Sequence, residues 1–196
     1  MKKQNNLLQG ATIAFTFCGI LLSVTSCKQG DAQAKINATS QVKADAPQID
    51  IHTAVVTGNL EAVKKHIASG TNLNEKDPIG GSSPLISACL FDKTAIAKLL
   101  IDAGADINFQ NNDGSTPLHT AAFFCRPDIV QMLLVKKADK TIKNKYGQTA
   151  YEIVAGPFAS VKQVYDGLGK MLAPMGLKLD YTYIEKTRPQ IAAMLK

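Results

Sequence analysis

The chain has 196 residues, of which 45% are hydrophobic and 19% are charged, and its formal net charge is +6. This is enough sequence and enough apolar side chain for one domain with a buried core, and it argues against a fully disordered chain. The four cysteines are too few for a small fold held together by several disulfides. A charge of +6 invites a nucleic-acid partner, and the position of that charge along the chain decides whether the idea holds.

Residues 1–26 have the pattern of an export signal rather than of a folded element. Lys2 and Lys3 give a positive start, and residues 11–24 carry no charge. A helix over this uncharged stretch is about 21 Å long, short of the roughly 30 Å hydrocarbon core of a bilayer. We therefore favour a cleaved secretory signal, with an uncleaved signal anchor as the alternative. Cleavage removes two lysines and no acid, so the charge of the remaining chain falls to +4.

The uncharged stretch ends in Val24-Thr25-Ser26-Cys27. This resembles the lipobox of bacterial lipoproteins, in which a Cys after an aliphatic and two small residues is lipidated and becomes the mature N-terminus. The resemblance implies that residues 1–26 are a lipoprotein signal peptide and that Cys27 is the lipid attachment site. It also implies an exported protein, anchored by acyl chains in the bacterial cell envelope on a periplasmic or outer-membrane face. Ordinary cleavage that leaves Cys27 unmodified is the alternative.

Residues 27–48 are polar, small and aperiodic, and they predict a flexible tether. A stretch of about twenty residues reaches about 65 Å when extended. We therefore expect this segment to link the lipid to a folded domain over residues 49–196.

From residue 50 onward the sequence repeats with a period of 33 residues. Gly81-Ser82-Ser83-Pro84-Leu85 recurs as Gly114-Ser115-Thr116-Pro117-Leu118, and more weakly as Gly147-Gln148-Thr149-Ala150-Tyr151. Each unit continues with an apolar stretch of helical periodicity and ends in a turn. A fixed period of this length is typical of stacked helical repeats, because one unit alone buries too little apolar surface to be stable.

The segment Thr116-Pro117-Leu118-His119-Thr120-Ala121-Ala122 matches the T-P-L-H-x-A core of the ankyrin repeat. The chain resembles that family over residues 50–155. The resemblance implies an all-α ankyrin repeat solenoid, built of helix-turn-helix repeats with β-hairpin loops. Physical chemistry agrees, since Thr116 is suited to cap a helix and Pro117 to stand in its first turn. We predict about four repeats, at about 50–80, 81–113, 114–146 and 147–196.

The fourth repeat departs from the pattern after Ala155. An i, i+3, i+4, i+7 apolar stripe predicts a helix over residues 161–172, and residues 188–195 resemble the second helix of an ankyrin repeat. We therefore predict a helical insertion at about 156–186 that splits the fourth repeat. A separate helical cap at the C-terminus is the alternative.

Side chains suited to catalysis are few. Of the three histidines, His52 and His119 occupy the ankyrin histidine position, where the resemblance implies a hydrogen bond to loop backbone, and His66 is expected to face solvent. The motifs H-E-x-x-H, G-x-S-x-G and C-x-x-C are missing from the sequence. We predict no catalysis, no cofactor and no metal. The alternative is an envelope enzyme with a site in the insertion, whose acids are Asp166, Asp180 and Glu185.

Two further patterns bear on the chemistry. Cys89 and Cys125 remain in the folded part, either as a disulfide or as a pair of small buried hydrophobic residues. The lysines and arginines are interleaved with acids and form no aromatic-plus-basic stripe, so we expect no nucleic-acid partner.

The ankyrin resemblance implies that a partner binds to the hairpin tips and to the exposed face of the first helices, which together form a concave groove. The groove concentrates aromatic and apolar residues, which are frequent in binding sites. We predict a monomer that binds a protein through this groove, or a chaperone-like or inhibitor-like partner of an envelope enzyme. Burial of the rings by the insertion is left open. The predicted partner-binding residues are Ile79, Ser82, Leu90, Phe91, Asn112, Asp113, Ser115, Phe123, Phe124, Lys145, Tyr146 and Gln148.

Overall fold

The computed structural model describes residues 48–196. The predicted signal peptide, Cys27 and nearly all of the tether lie outside the described residues. Between residues 48 and 196 there are nine α-helices and no β-strand. The helices are α1 (Ile51–Thr57), α2 (Leu60–Ala68), α3 (Pro84–Leu90), α4 (Thr94–Asp102), α5 (Pro117–Phe123), α6 (Pro127–Val135), α7 (Ala150–Ala155), α8 (Lys162–Leu172) and α9 (Tyr181–Leu195).

The helices form two rows, which is the all-α solenoid that the repeat predicts. In the first row α1, α3, α5 and α7 pack one against the next, and in the second row α2, α4 and α6 do the same. Small and branched apolar side chains fill the space between the rows, and Val63, Leu100 and Leu133 are fully buried there. Alanines such as Ala88 and Ala121, also fully buried, allow neighbouring helices to approach closely. Each repeat therefore completes the core of the next.

The first helix of every repeat begins at a capped residue. The side chain of each capping residue accepts a hydrogen bond from the backbone N–H three residues later, which satisfies one of the free donors of the helix. The caps are Asp50, Ser83, Thr116 and Thr149. Pro84 and Pro117 stand in the first turn of their helices, where a missing N–H does no harm. The predicted roles of Thr116 and Pro117 are confirmed.

The turn between the two helices of a repeat contains one residue in the left-handed backbone region. Gly58, Asp92 and Cys125 occupy this position, with φ angles of 77°, 55° and 54°. A residue other than glycine is strained there by roughly 1–2 kcal/mol. The burial of Cys125, which has no exposed surface, offsets that strain.

The C-terminal region differs in part from the sequence prediction. Helix α8 covers residues 162–172, close to the predicted 161–172, and short 3₁₀ turns precede and follow it at Phe158–Ser160 and Ala173–Met175. Helix α9 begins at Tyr181, well before residue 188, because the side chain of Asp180 caps it by accepting from the N–H of Tyr183 at 3.0 Å. Helix α9 packs against α7 and touches α5 and α6. The boundaries of the insertion stay a prediction.

Of the helices in the described part of the chain, none is long and apolar enough to cross a membrane.

Candidate functional site

The loop before α3 is held in shape by Asp77. Its carboxylate accepts three backbone hydrogen bonds, from the N–H groups of Ile79 at 2.8 Å, Gly80 at 2.7 Å and Ser82 at 2.6 Å. Burial of Asp77 raises the pKa of its carboxyl, but these hydrogen bonds outweigh burial and bring that pKa below its usual value. The carboxylate thus fixes a loop whose tip is Ile79, a side chain that is 86% exposed.

The next two loops use the same device. Asn111 and Asn144 stand one and two repeats after Asp77, and each side-chain oxygen accepts from the N–H groups two and four residues further on. The donors are Asp113 and Ser115 in one loop, and Tyr146 and Gln148 in the other. An Asx residue at this repeat position therefore orders all three loops, and the second and third loops share one hydrogen-bond pattern.

Neighbouring loops are hydrogen-bonded into a row. The N–H of Asn112 donates to the carbonyl oxygen of Gly80 at 3.0 Å, and the N–H of Lys145 donates to that of Asp113 at 2.9 Å. These single bonds take the place of the expected β-hairpins, since no strand is formed between residues 48 and 196. The three loop tips therefore lie next to one another along the domain.

The structure separates the predicted partner-binding residues into three groups. The exposed group is Ile79, Asn112, Asp113, Lys145, Tyr146 and Gln148, and the half-buried group is Ser82, Leu90, Phe91, Ser115 and Phe123. Phe124 is buried, with 6% of its surface exposed. Of the two alternatives left open for the groove rings, burial by the insertion holds for Phe124, because Tyr165 of α8 packs against its ring.

Helix α8 covers the end of α5 in the third repeat. The central residue of this contact is Tyr165, which has no exposed surface. Its ring stacks on that of Phe123, with centroids 4.3 Å apart and planes at 15°. Phe124 meets the same ring edge-on, and Phe158 lies beside it. The Tyr165 hydroxyl donates to the carbonyl oxygen of Phe123 at 2.5 Å. Burial raises the pKa of the Tyr165 phenol to about 12, so it keeps its proton at neutral pH.

Arg188 of α9 also contacts Tyr165 and helps to hold α8 in place. Arg188 is 2% exposed, and its guanidinium donates to the Tyr165 hydroxyl at 3.1 Å. It also donates to the carbonyl oxygens of Ile153 at 2.8 Å and Gly156 at 3.3 Å. These acceptors come from α7, from the turn after it and from α8. One buried cation therefore joins three elements of the C-terminal region.

The histidines have structural surroundings. His119 contacts the carbonyl oxygen of Gln148 through Nε2 at 3.0 Å, as the ankyrin position implies, and burial lowers its pKa. Neither ring nitrogen of His52 has a hydrogen-bond partner among the described residues, so the expectation for that residue is wrong. His66 is buried rather than solvent-facing, because its Nε2 lies 2.8 Å from the carbonyl oxygen of Ile49.

In the described part of the chain, the thiols and acids that could take part in catalysis are not grouped into one site. Cys89 and Cys125 are free and fully buried, and burial raises the pKa of both thiols, that of Cys125 to about 11. Asp166 pairs with Lys162 at 3.0 Å, and Asp180 caps α9. Within residues 48–196, no three His, Cys, Asp or Glu side chains come together as a metal site would require.

A cavity of about 380 Å³ opens between α7 and α9. Glu185, the third acid of the insertion, lines it together with Arg188 and Lys196. No Cys or His lines this cavity.

The stacked helix pairs and the row of loop tips define a helical repeat protein with a binding surface. The family of ankyrin repeats, as three copies, matches residues 51–144. This region of the chain belongs to the ankyrin repeat family, and the predicted ankyrin repeats and all-α solenoid are confirmed, without the predicted β-hairpins in the described residues. Ankyrin repeats mediate protein–protein interaction.

Several known proteins are similar over shorter stretches. Human protein phosphatase 1 regulatory subunit 27 is 41% identical over 64 residues, which are 33% of this chain and 41% of that protein. The human DNA-binding protein RFXANK is 33% identical over 70 residues, which are 36% of this chain and 27% of that protein. The chain thus spans well under half the length of these relatives. The ankyrin repeat domain of Bcl-3 superposes with a TM-score of 0.51 at 31% identity, covering 53% of this chain and 45% of that chain.

Proposed function

We propose that this chain is an exported, lipid-anchored binding protein of the bacterial cell envelope, and that it binds one protein partner without catalysis. The anchor is Cys27, on the strength of the Val24-Thr25-Ser26-Cys27 pattern behind an uncharged export stretch. The ankyrin repeats supply the interaction chemistry. The scattered positions of the acids and the buried thiols support a role without catalysis.

The partner surface lies on repeats two and three, and we name it the tip surface: Ile79, Ser82, Leu90, Phe91 and Asn112. The observation that carries it is the 86% exposure of Ile79 on a loop that Asp77 holds rigid. An apolar side chain on a rigid loop loses little conformational entropy when it is buried by a partner. Leu90 and Phe91, half-buried at the end of α3, are the other apolar members of the proposed surface.

The cover formed by α8 limits the groove. Tyr165 packs against Phe123 and Phe124 at the end of α5. Helix α8 therefore covers a surface that an uninterrupted ankyrin array would leave open to a partner. The partner surface is therefore displaced toward the N-terminal repeats.

The second candidate function is regulation of the protein partner. A relative that matches 33% of this chain is named as a regulatory subunit of protein phosphatase 1. By analogy, this protein would inhibit or assist an envelope enzyme rather than only hold it in place.

The test is a cross-linking pull-down from detergent-solubilised envelope, with the full chain and quantitative mass spectrometry. Ile79→Asp combined with Asn112→Arg should reduce recovery of the partner at least tenfold. The matched control is Val164→Asp combined with Gln163→Arg, which makes the same types of change on exposed residues of α8. If both double variants recover the same proteins as the unmodified chain, the tip surface is not the binding site.

A further inference from the structure

The positive charge of the domain is concentrated in one short segment. Residues 136–145 contain five lysines and a single acid, Asp139. Across residues 48–196 there are 17 lysines and arginines against 14 acids, so this segment alone accounts for the positive net charge of the domain. The expectation that basic residues are interleaved with acids throughout the chain is wrong for this segment.

The five lysines line the exposed turn and loop that follow α6. We name Lys136, Lys137, Lys140, Lys143 and Lys145 the lysine strip, and all five are exposed. Lys136 pairs with Asp102 at 3.1 Å. Within residues 48–196, the other four have no carboxylate within ion-pair distance. Four ammonium groups of the strip are therefore open to an external anion.

The backbone holds the strip in a defined shape. The N–H of Lys137 donates to the carbonyl oxygen of Leu134 at 2.9 Å and ends α6. The N–H of Asp139 donates to the side-chain oxygen of Asn108 at 2.9 Å. This bond links the middle of the segment to the previous repeat. A fixed backbone keeps the lysines together although they repel one another.

Exposed apolar side chains stand at both ends of the strip. Val135 is 67% exposed and Tyr146 is 73% exposed. Exposed lysines with an aliphatic residue before them and a tyrosine after them along the chain have the composition that suits the boundary of an anionic bilayer, where ammonium groups bind phosphates and apolar side chains contact acyl chains. A purely acidic protein partner would match the lysines but not these two side chains.

We propose that the lysine strip rests on the anionic phospholipid headgroups of the membrane that holds the chain. The inference rests on the proposed lipid at Cys27 for the high local concentration that a tether provides. A tether of about twenty residues reaches about 65 Å when extended, which leaves the domain free to turn different faces to the bilayer. The strip then decides which face contacts the bilayer, and Tyr146 contacts lipid rather than the protein partner.

The test is lysine acylation footprinting of the full chain, reconstituted in vesicles and read by mass spectrometry at each lysine. One vesicle contains 30% phosphatidylglycerol and the other contains phosphatidylcholine alone. Lys137, Lys140, Lys143 and Lys145 should react at least threefold more slowly in the anionic vesicle at low salt. At 0.5 M NaCl the difference should disappear, since salt screens charges over a few ångströms at that concentration.

The control lysines are Lys64 and Lys65, which are exposed on α2 in the first repeat. Their rates should be the same in both vesicles. Equal rates for the strip in both vesicles, or equal protection of the control lysines, overturn the proposal. Protection of the strip in native envelope but not in anionic vesicles also overturns it and assigns the strip to an acidic protein. The same spectra report the lipid on Cys27, so failure of the anchor and failure of the strip are separate results.

Discussion

The ring of Tyr165 lies on the ring of Phe123 at 4.3 Å, and the hydroxyl of Tyr165 donates to the backbone carbonyl of Phe123 at 2.5 Å. These two residues are 42 positions apart in the chain. Tyr165 is the buried residue of α8, so this contact attaches an amphipathic helix to the end of α5. The same carbonyl belongs to the last turn of α5, whose acceptors have no partner within the helix.

Replacing Tyr165 by Phe should destabilise the domain by about 1–3 kcal/mol. The variant keeps the stacked ring but removes the acceptor of Arg188 and the donor to Phe123, and a buried polar group left without a partner costs about this much. Urea denaturation followed by circular dichroism measures the free energy of unfolding. Tyr183→Phe is the control, because Tyr183 is 43% exposed and should change stability by less than about 0.5 kcal/mol. Equal effects of the two substitutions would show that the Tyr165 hydroxyl is not a structural anchor.

Burial of His119 makes the domain less stable as the pH falls. Because the pKa of His119 is lowered in the fold, the unfolded chain binds a proton more readily than the folded one. The folded state therefore keeps its full stability above the ordinary histidine pKa of about 6.5 and loses stability as the pH drops below it. Urea midpoints at pH 7.5 and pH 5.5 measure this loss, and His119→Gln should reduce the difference between them. An unchanged difference in the variant would assign the pH dependence to other groups. Carboxyl groups with lowered pKa values, such as that of Asp77, act only at more acidic pH.

The thiols of Cys89 and Cys125 should resist alkylation in the folded protein. Both side chains are fully buried, and a pKa of about 11 for Cys125 leaves about 0.1% thiolate at pH 8. Maleimide labelling with peptide-level mass spectrometry should find less than about a tenth of each thiol modified in an hour. In 6 M urea both should react completely. Fast labelling of Cys125 without denaturant would mean that α8 opens frequently.

Asp77→Ala should loosen the loop that carries Ile79. The change removes an acceptor of three backbone N–H groups and should cost about 1–2 kcal/mol of stability. Hydrogen exchange at residues 79–82 should accelerate at least tenfold. Asp113→Ala is the control, since Asp113 is an exposed acid in the next loop. If exchange at residues 79–82 is unchanged, the carboxylate does not determine the loop shape.

Cys27→Ala should abolish labelling of the protein by a metabolic fatty-acid analogue. The lipobox resemblance predicts the acyl chains on that thiol, and Cys18 lies within the segment that the predicted cleavage would remove. Cys18→Ala should therefore retain the label. A Cys27→Ala protein that still incorporates the analogue would refute the lipobox assignment.

Local signals explain why the helices were predictable. Ser83-Pro84 and Thr116-Pro117 start helices through a side-chain cap and a fixed φ angle, and both act within one turn of the chain. The 33-residue period then predicts stacking, because identical units bury identical faces. For the same reason the apolar periodicity of residues 161–172 predicted α8.

The sequence left two alternatives for the exposure of the groove rings and could not choose between them. Phe124 has the sequence position of a groove residue, and its burial depends on Tyr165, which lies far along the chain. His66 is buried because Ile49, which precedes α1, returns to accept from its ring. Both outcomes depend on contacts between distant segments, and these have no periodic signature in the sequence.

The repeat, the two rows of helices and the loop positions follow from the sequence alone, because capping, turn geometry and apolar periodicity act over a few residues. It also predicts the export signal and the lipid at Cys27. Which side chains of the groove stay open, and whether the lysines of residues 136–145 are exposed, depended on how the chain packs. Burial and surface charge are properties of the packed chain, in which α8 covers Phe124 while Asp77 holds Ile79 in solvent and the lysine strip lies exposed along one loop.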